Sequence, residues 1–280
     1  MIRLDAATVL LQWATGGLLF LWVTTRRRQV GIGYGWLLRS VYASLAVGAV
    51  AAGQALEPVP VRDVCAALVA VSSLGALAVS VVRRKAGVAG ERAREARTAA
   101  RVGTRVAERR DPDALEFPPL VDLVAPAIGT IGLVAAGLAA GGNDVLAVVR
   151  TLVGAAFLGA VSDAMLLGHW YLVQPGLGRG PLEELNRWVA YVWPFEVAAL
   201  LWPPGMVQVL GGSIDDGYNG VLGWFWLACA VSTIALVFVT RLALRERAYS
   251  AVMAATGLLY LAILTGFGTD LVARAILASA

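Results

Sequence analysis

From Ala6 onward the chain is a succession of apolar runs about 20 residues long, separated by short segments in which arginine collects. A run of that length is what an α-helix needs to cross the roughly 30 Å hydrocarbon layer of a bilayer. Of 280 residues, 59% are hydrophobic and 15% charged, and the mean hydropathy is +0.72. A soluble domain carries nearer a quarter of charged residues, and a membrane β-barrel alternates apolar with polar positions instead of running them together. The chain therefore reads as an all-α, polytopic membrane helical bundle. About eight transmembrane helices are expected, in a single integral membrane domain over 1–280.

Hydropathy windows place the spans at Ala6–Thr24, Gly33–Gly53, Val64–Val82, Leu120–Ala140, Val145–Val173, Trp188–Leu210, Val221–Thr240 and Ala251–Arg274. Arg26, Arg27 and Arg28 follow the first run, the reverse of the order in a signal peptide. Eighteen of the 23 basic residues fall in segments 25–29, 83–119, 174–187 and 241–250, all on one side of this topology. The positive-inside rule makes that side cytoplasmic and puts both termini outside. The expected location is the inner, cytoplasmic membrane.

Segment 83–119 is the one long loop, and it is basic. Its centre, AGERAREARTAARVGTRVAERR, holds strong helix formers, with no proline before Pro112. Arg94, Arg97, Arg101, Arg105 and Arg109 recur at helical spacing on one face. Such a stripe beside an apolar edge fits a helix lying on anionic lipid headgroups, where each cation contributes about 1 kcal/mol. The alternative is a docking face for an acidic partner, such as another subunit of a membrane complex. Nucleic acid is not expected, because no aromatic residues interleave with the arginines.

An ionisable group within a span costs roughly 2.5–3.5 kcal/mol at the centre, so each one calls for a partner or a role. On the span boundaries above, Asp163, His169, Glu196, Arg39 and Asp122 all fall in the cytoplasmic half. Arg150 and Arg274 fall near the outer rim, where snorkelling accounts for them. The bland explanation is ion pairing of Arg39 with Asp163 or Glu196. The functional one is a cavity opening to the cytoplasm that handles protons, a quinone headgroup or a small solute.

The fifth span ends SDAMLLGHWYLVQPG, with His169 the only histidine of the chain. Imidazole can donate to a quinone carbonyl, relay a proton or bind a metal, and His-Trp-Tyr at a helix end is also an interfacial aromatic belt. Haem is disfavoured, since Met165 lies one turn away on the same helix and no second histidine exists. The sixth span carries Glu196 two residues after Pro194, which frees a backbone carbonyl as proton relays and ion-coupled transporters do. Cys65 and Cys229 form no metal-ligand pattern, and GGSIDDGYNG at 211–220 lacks the spaced ligands of a calcium loop. Ala155 with Gly159, and Gly48 with Ala52, are small-residue pairs suited to close helix contact.

The reading is a quinone-contacting or proton-handling subunit of a respiratory electron-transfer system, with no metal site expected. His169, Trp170, Arg39 and Asp122 would contact quinone or substrate, and Asp163 and Glu196 would move protons. The alternatives are a proton-coupled transporter of small solutes and a structural subunit without chemistry of its own.

Overall fold

The computed structural model describes residues 4–102, 114–174 and 176–279. Every regular element among them is helical: α1 (Ala6–Thr25), α2 (Ile32–Ala55), α3 (Pro60–Val82), α4 (Ala89–Val102), α5 (Val124–Ala139), α6 (Asp144–Val173), α7 (Gly180–Leu201), α8 (Met206–Leu210), α9 (Val221–Arg245) and α10 (Tyr249–Ser279). Seven of the helical segments are long and apolar enough to cross a membrane: α1, α2, α3, α5 with the 3₁₀ turn before it, α6, α9 and α10. The protein is a multi-pass helical membrane bundle. Large apolar side chains such as Val47, Val71, Phe238, Leu242 and Leu264 point outward, as they do on a surface that lipid covers.

Local chemistry sets the helix ends. Asp5 caps α1, its carboxylate accepting from the amides of Ala7 (3.1 Å) and Thr8 (3.2 Å), and Asn143 caps α6 by accepting from Leu146 N (3.1 Å). Pro60 opens α3, where its missing donor is not needed. Gly141 and Gly142, at φ +75° and +81°, turn the chain between α5 and α6.

α7 departs from the expected span of 188–210. It starts at Gly180, eight residues earlier, because Pro181 suits a first helical turn. It stops at Leu201, because Pro203 and Pro204 cannot donate, and Met206–Leu210 forms the separate helix α8. Four charged residues, Glu183, Glu184, Arg187 and Glu196, make α7 more polar than its neighbours, yet it runs the length of the bundle. At its start Arg179 donates to the carbonyls of Leu244 (3.0 Å) and Ala248 (2.9 Å), where α9 turns into α10. At its end the carbonyls of Ala199 and Trp202 accept from Arg150, near the start of α6. Glu196 consequently lies five residues from the end remote from the basic segments, not in the half expected from sequence.

α1 and α6 occupy the centre. The most apolar window of α1 is 67% buried and that of α6 61%, against 33% for α9 and α10. The two central helices meet almost backbone to backbone. A Cβ on Gly16 would lie 1.8 Å from the carbonyl oxygen of Ala155, and one on Gly159 2.1 Å from the carbonyl carbon of Gly16. The other small pair does not behave this way, for a Cβ on Gly48 would meet only Leu10 Cδ1, at 3.5 Å.

The basic segments gather at one end of the bundle. There α4 is tied down by Gly90 N donating to Arg28 O (2.9 Å) and by Glu116, which pairs with both Arg28 (2.6 Å) and Arg92. Arg94, Arg97 and Arg101 belong to α4, whereas Arg105 and Arg109 lie outside the described residues. At the opposite end Asp216 organises the loop before α9. Partial burial pushes its pKa up, but amide donors from Gly220 (2.8 Å), Tyr218 (2.9 Å) and Gly223 (3.1 Å) outweigh that and hold the carboxyl below the ordinary aspartate range.

Gly159→Leu should force α1 and α6 apart and cost about 3 kcal/mol or more. Gly48→Ala should be neutral within about 0.5 kcal/mol. Thermal unfolding of both variants in detergent checks the contrast.

Candidate functional site

Arg39 does not pair with Asp163 or Glu196. It faces the 3₁₀ turn Pro119–Leu123 and forms a two-pronged bond with Asp122, Nε to Oδ1 and Nη2 to Oδ2, both 2.7 Å. Thr25 Oγ1 adds a third donor to Asp122 (3.1 Å), and the guanidinium lies over the Phe117 ring at 4.4 Å. Both side chains are at most 2% exposed. This pair is closed: each charge has its opposite, and the geometry holds the turn before α5 against α2. Arg39 and Asp122 therefore serve as a clamp at the basic end.

Asp163, on α6, has a different environment. It is fully buried, and Tyr42 from α2 donates a short hydrogen bond to Oδ1. Tyr34, two turns earlier on α2, donates to its backbone carbonyl at 3.4 Å. Oδ2 has no partner, nor does the neighbouring Ser162 hydroxyl, and no cation among the described residues lies within ion-pair distance. Tyr42 reaches Asp163 because Gly17 leaves the space: a Cβ there would sit 2.0 Å from the phenol ring.

From Asp163 a line of polar and aromatic groups leads to the basic end. The Tyr34 ring lies 5.9 Å from that of Trp170, which packs on Gly33 and donates from Nε1 to Gln174 Oε1 (2.9 Å). Gln174 in turn flanks Gly31 together with Glu91 of α4, whose side chain is 7% exposed. Asp163 and Trp170, seven residues apart, fall on one face of α6. Tyr34, Tyr42 and Glu91 were not foreseen, because tyrosines in an apolar helix look like lipid-facing aromatics until their rotation is known.

His169 is on another face. Its side chain is exposed, directed to α10, where Nδ1 shares a 2.9 Å hydrogen bond with the Tyr260 hydroxyl. The structure thus joins Asp163 with Trp170 through Tyr34, and leaves His169 outside that group.

Glu196 belongs to a second buried cluster at the opposite end. Its carboxyl neighbours that of Asp270, from α10, and neither of its oxygens has a hydrogen-bond partner. Arg274 Nε donates to Asp270 Oδ2 (2.7 Å). Arg150 is held by three carbonyls at the end of α7: Ala199 (2.9 Å), Trp202 (2.7 Å) and Pro204 (2.7 Å). Gln12 of α1 donates to Thr151 O (2.6 Å), and Gly154 leaves the room in which Gln12, Asp270 and Arg274 converge, each 2.9 Å from where its Cβ would be. Glu196, Asp270, Arg150 and Arg274 are all at most 1% exposed. Arg150 and Arg274 are therefore buried partners, not snorkelling side chains. Asp270 was missed, although its spacing of four from Arg274 was a readable signal.

Two neighbouring carboxylates repel each other when both are charged. Beside the cluster, a cavity of about 20 Å³ is bounded by Thr151, Arg274, Arg62, Asp5 and Glu57, room for one water. Arg62 pairs there with Asp63 (2.8 Å) and Asp5, linking the cluster to the end of the bundle. Between the clusters, α6 presents Ala155, Phe157, Leu158, Gly159, Ala160 and Val161, all buried. The nine residue steps from Gly154 to Asp163 span about 13 Å. Two larger apolar grooves face outward, about 330 Å³ beside α1, α5 and α6 and about 410 Å³ between α6 and α7; neither is lined by Asp163, His169 or Trp170. Comparison with known proteins finds no matching family model, curated protein or solved structure.

Arg39→Ala would strand Asp122 and should cost about 3–5 kcal/mol, whereas Arg39→Met with Asp122→Leu should recover most of that loss. Detergent unfolding of the single and double variants measures it.

Proposed function

We propose that this membrane protein handles protons, taking them up at Asp163 and passing them to or from the Glu196–Asp270 pair. The observation that carries the reading is Asp163 itself: fully buried, bonded by Tyr42 on one oxygen, unpartnered on the other and facing no cation. An uncompensated carboxylate at that depth is costly, so a group kept there is suited to binding and releasing a proton as its surroundings change. Tyr34, Trp170, Gln174 and Glu91 supply the approach from the basic end, and the water-sized cavity beside Arg274 supplies the approach from the other. The apolar layer between the clusters separates the two half-paths, so a proton crosses only as that layer opens.

In this reading the basic end is cytoplasmic, the membrane is the inner one, and α4 lies along its anionic headgroups. A respiratory complex or a solute-coupled carrier are the two settings in which such proton movement is used.

A second reading rests on His169 and Tyr260, an imidazole–phenol pair exposed on the side of the bundle. A quinone headgroup arriving through the lipid would meet that pair first. Loss of quinone binding in His169→Ala, with Asp163→Asn retaining it, would favour this reading.

The test of proton handling is flux into proteoliposomes carrying a trapped pH dye, driven by an imposed potassium diffusion potential. The wild-type protein should conduct, and Asp163→Asn and Glu196→Gln should each lower the rate at least about tenfold. Wild-type flux no faster than that of protein-free vesicles, or full flux in Asp163→Asn, would overturn the proposal.

A further inference from the structure

At the basic end, the first turns of α7 and the last turns of α9 enclose a cleft of about 210 Å³, lined by Glu183, Asn186, Arg187, Arg241, Leu244 and Arg245. The helices are strapped together beneath it by Asn186 Nδ2, which donates to Val237 O (3.0 Å). That bond fixes the amide, and its Oδ1 stays buried without a partner in a residue only 2% exposed.

Several other arginines at this end are neutralised or bonded. Arg26 and Arg27 hold Glu184, Arg28 and Arg92 hold Glu116, and Arg179 holds the carbonyls of the α9–α10 turn. Arg187, Arg241 and Arg245 have no ion pair among the described residues, and neither does Glu183. Three guanidinium groups around one cleft, against one carboxylate, leave two positive charges uncompensated. One turn deeper, on the same helix faces as Arg187 and Arg241, Tyr191 and Phe238 are 60% and 55% exposed. The cleft thus sits where apolar surface gives way to charge, at the level of lipid headgroups.

The geometry points to a binding site for the phosphodiester headgroup of an anionic, hydroxyl-bearing phospholipid, of the phosphatidylglycerol class. Arg187, Arg241 and Arg245 hold the phosphate. Asn186 Oδ1 and Glu183, both acceptors, take hydrogen bonds from the headgroup hydroxyls, and the acyl chains run along Tyr191 and Phe238. A purely basic pocket would favour any phosphate, but the Glu183 carboxylate works against a dianion. A zwitterionic ethanolamine headgroup would satisfy Glu183 yet leave the two surplus positive charges in place, whereas a glycerol headgroup removes one of them. The site is independent of the proton-handling groups.

Native mass spectrometry of the full chain in detergent, titrated with dioleoyl-phosphatidylglycerol, dioleoyl-phosphatidylethanolamine or glycerol 1-phosphate, tests it. Phosphatidylglycerol should bind at one tight site, and Arg241→Gln with Arg245→Gln should weaken that binding roughly thirtyfold. Arg97→Gln, on the exposed face of α4, should leave it unchanged. Equal binding of phosphatidylethanolamine, equal competition by glycerol 1-phosphate, or undiminished phosphatidylglycerol binding in the double variant would each overturn the assignment. The first result would make the cleft a general headgroup contact, and the second a soluble-anion site. Arg241 and Arg245 are exposed, so an unchanged unfolding temperature is expected and separates lost binding from lost fold.

Discussion

The contact between α1 and α6 at Gly16 and Gly159 is the constraint on which the rest of the bundle depends. In a bilayer, lipid tails are as apolar as leucine, so helices associate through close packing and hydrogen bonds and not by fleeing water. Two glycines facing each other permit a separation no larger residue allows. At that separation Gly17 brings the α1 backbone against the Tyr42 ring and so sets the phenol on Asp163. Towards the other end of the same interface, Gln12 reaches Thr151 and stands beside Asp270 and Arg274. One helix crossing thereby positions both carboxyl clusters.

The buried charges sort into two kinds by how completely they are answered. Arg39 and Asp122 satisfy each other with two bonds, assisted by Thr25 and Phe117, and behave as a fastening. Arg62 with Asp63 and Asp5 is of the same kind. Asp163 and Glu196 are of the other kind, retaining carboxyl oxygens that no donor reaches. Removing one partner of a closed buried pair costs several kcal/mol, so closed pairs account for stability and rigidity. A carboxyl left open in the same medium gains nothing for stability, and in the proposed function its role is to exchange a proton.

The outer surface follows a different logic. α9 and α10, only 33% buried along their most apolar windows, present Phe238, Leu242 and Leu264 outward, while arginines collect where those faces end. At that boundary a cluster of guanidinium groups has water and headgroups as neighbours, so unpaired Arg187, Arg241 and Arg245 are tolerable there in a way that they would not be one turn deeper.

Run length and capping chemistry in the sequence determined the helical membrane architecture and most helix ends, because the bilayer leaves a chain no other way to bond its backbone at depth. They also placed the arginines together at one end. The start of α7 was illegible, since Glu183, Glu184 and Arg187 look like loop in a hydropathy window, and that misplaced Glu196 by half the membrane. Partnership was decided by the tertiary structure alone. Depth along a helix is written in one dimension, whereas the partner of a charge depends on how each helix is rotated about its axis. Rotation put Arg39 on Asp122, turned His169 away from Asp163, and brought Asp270 from the last helix to Glu196.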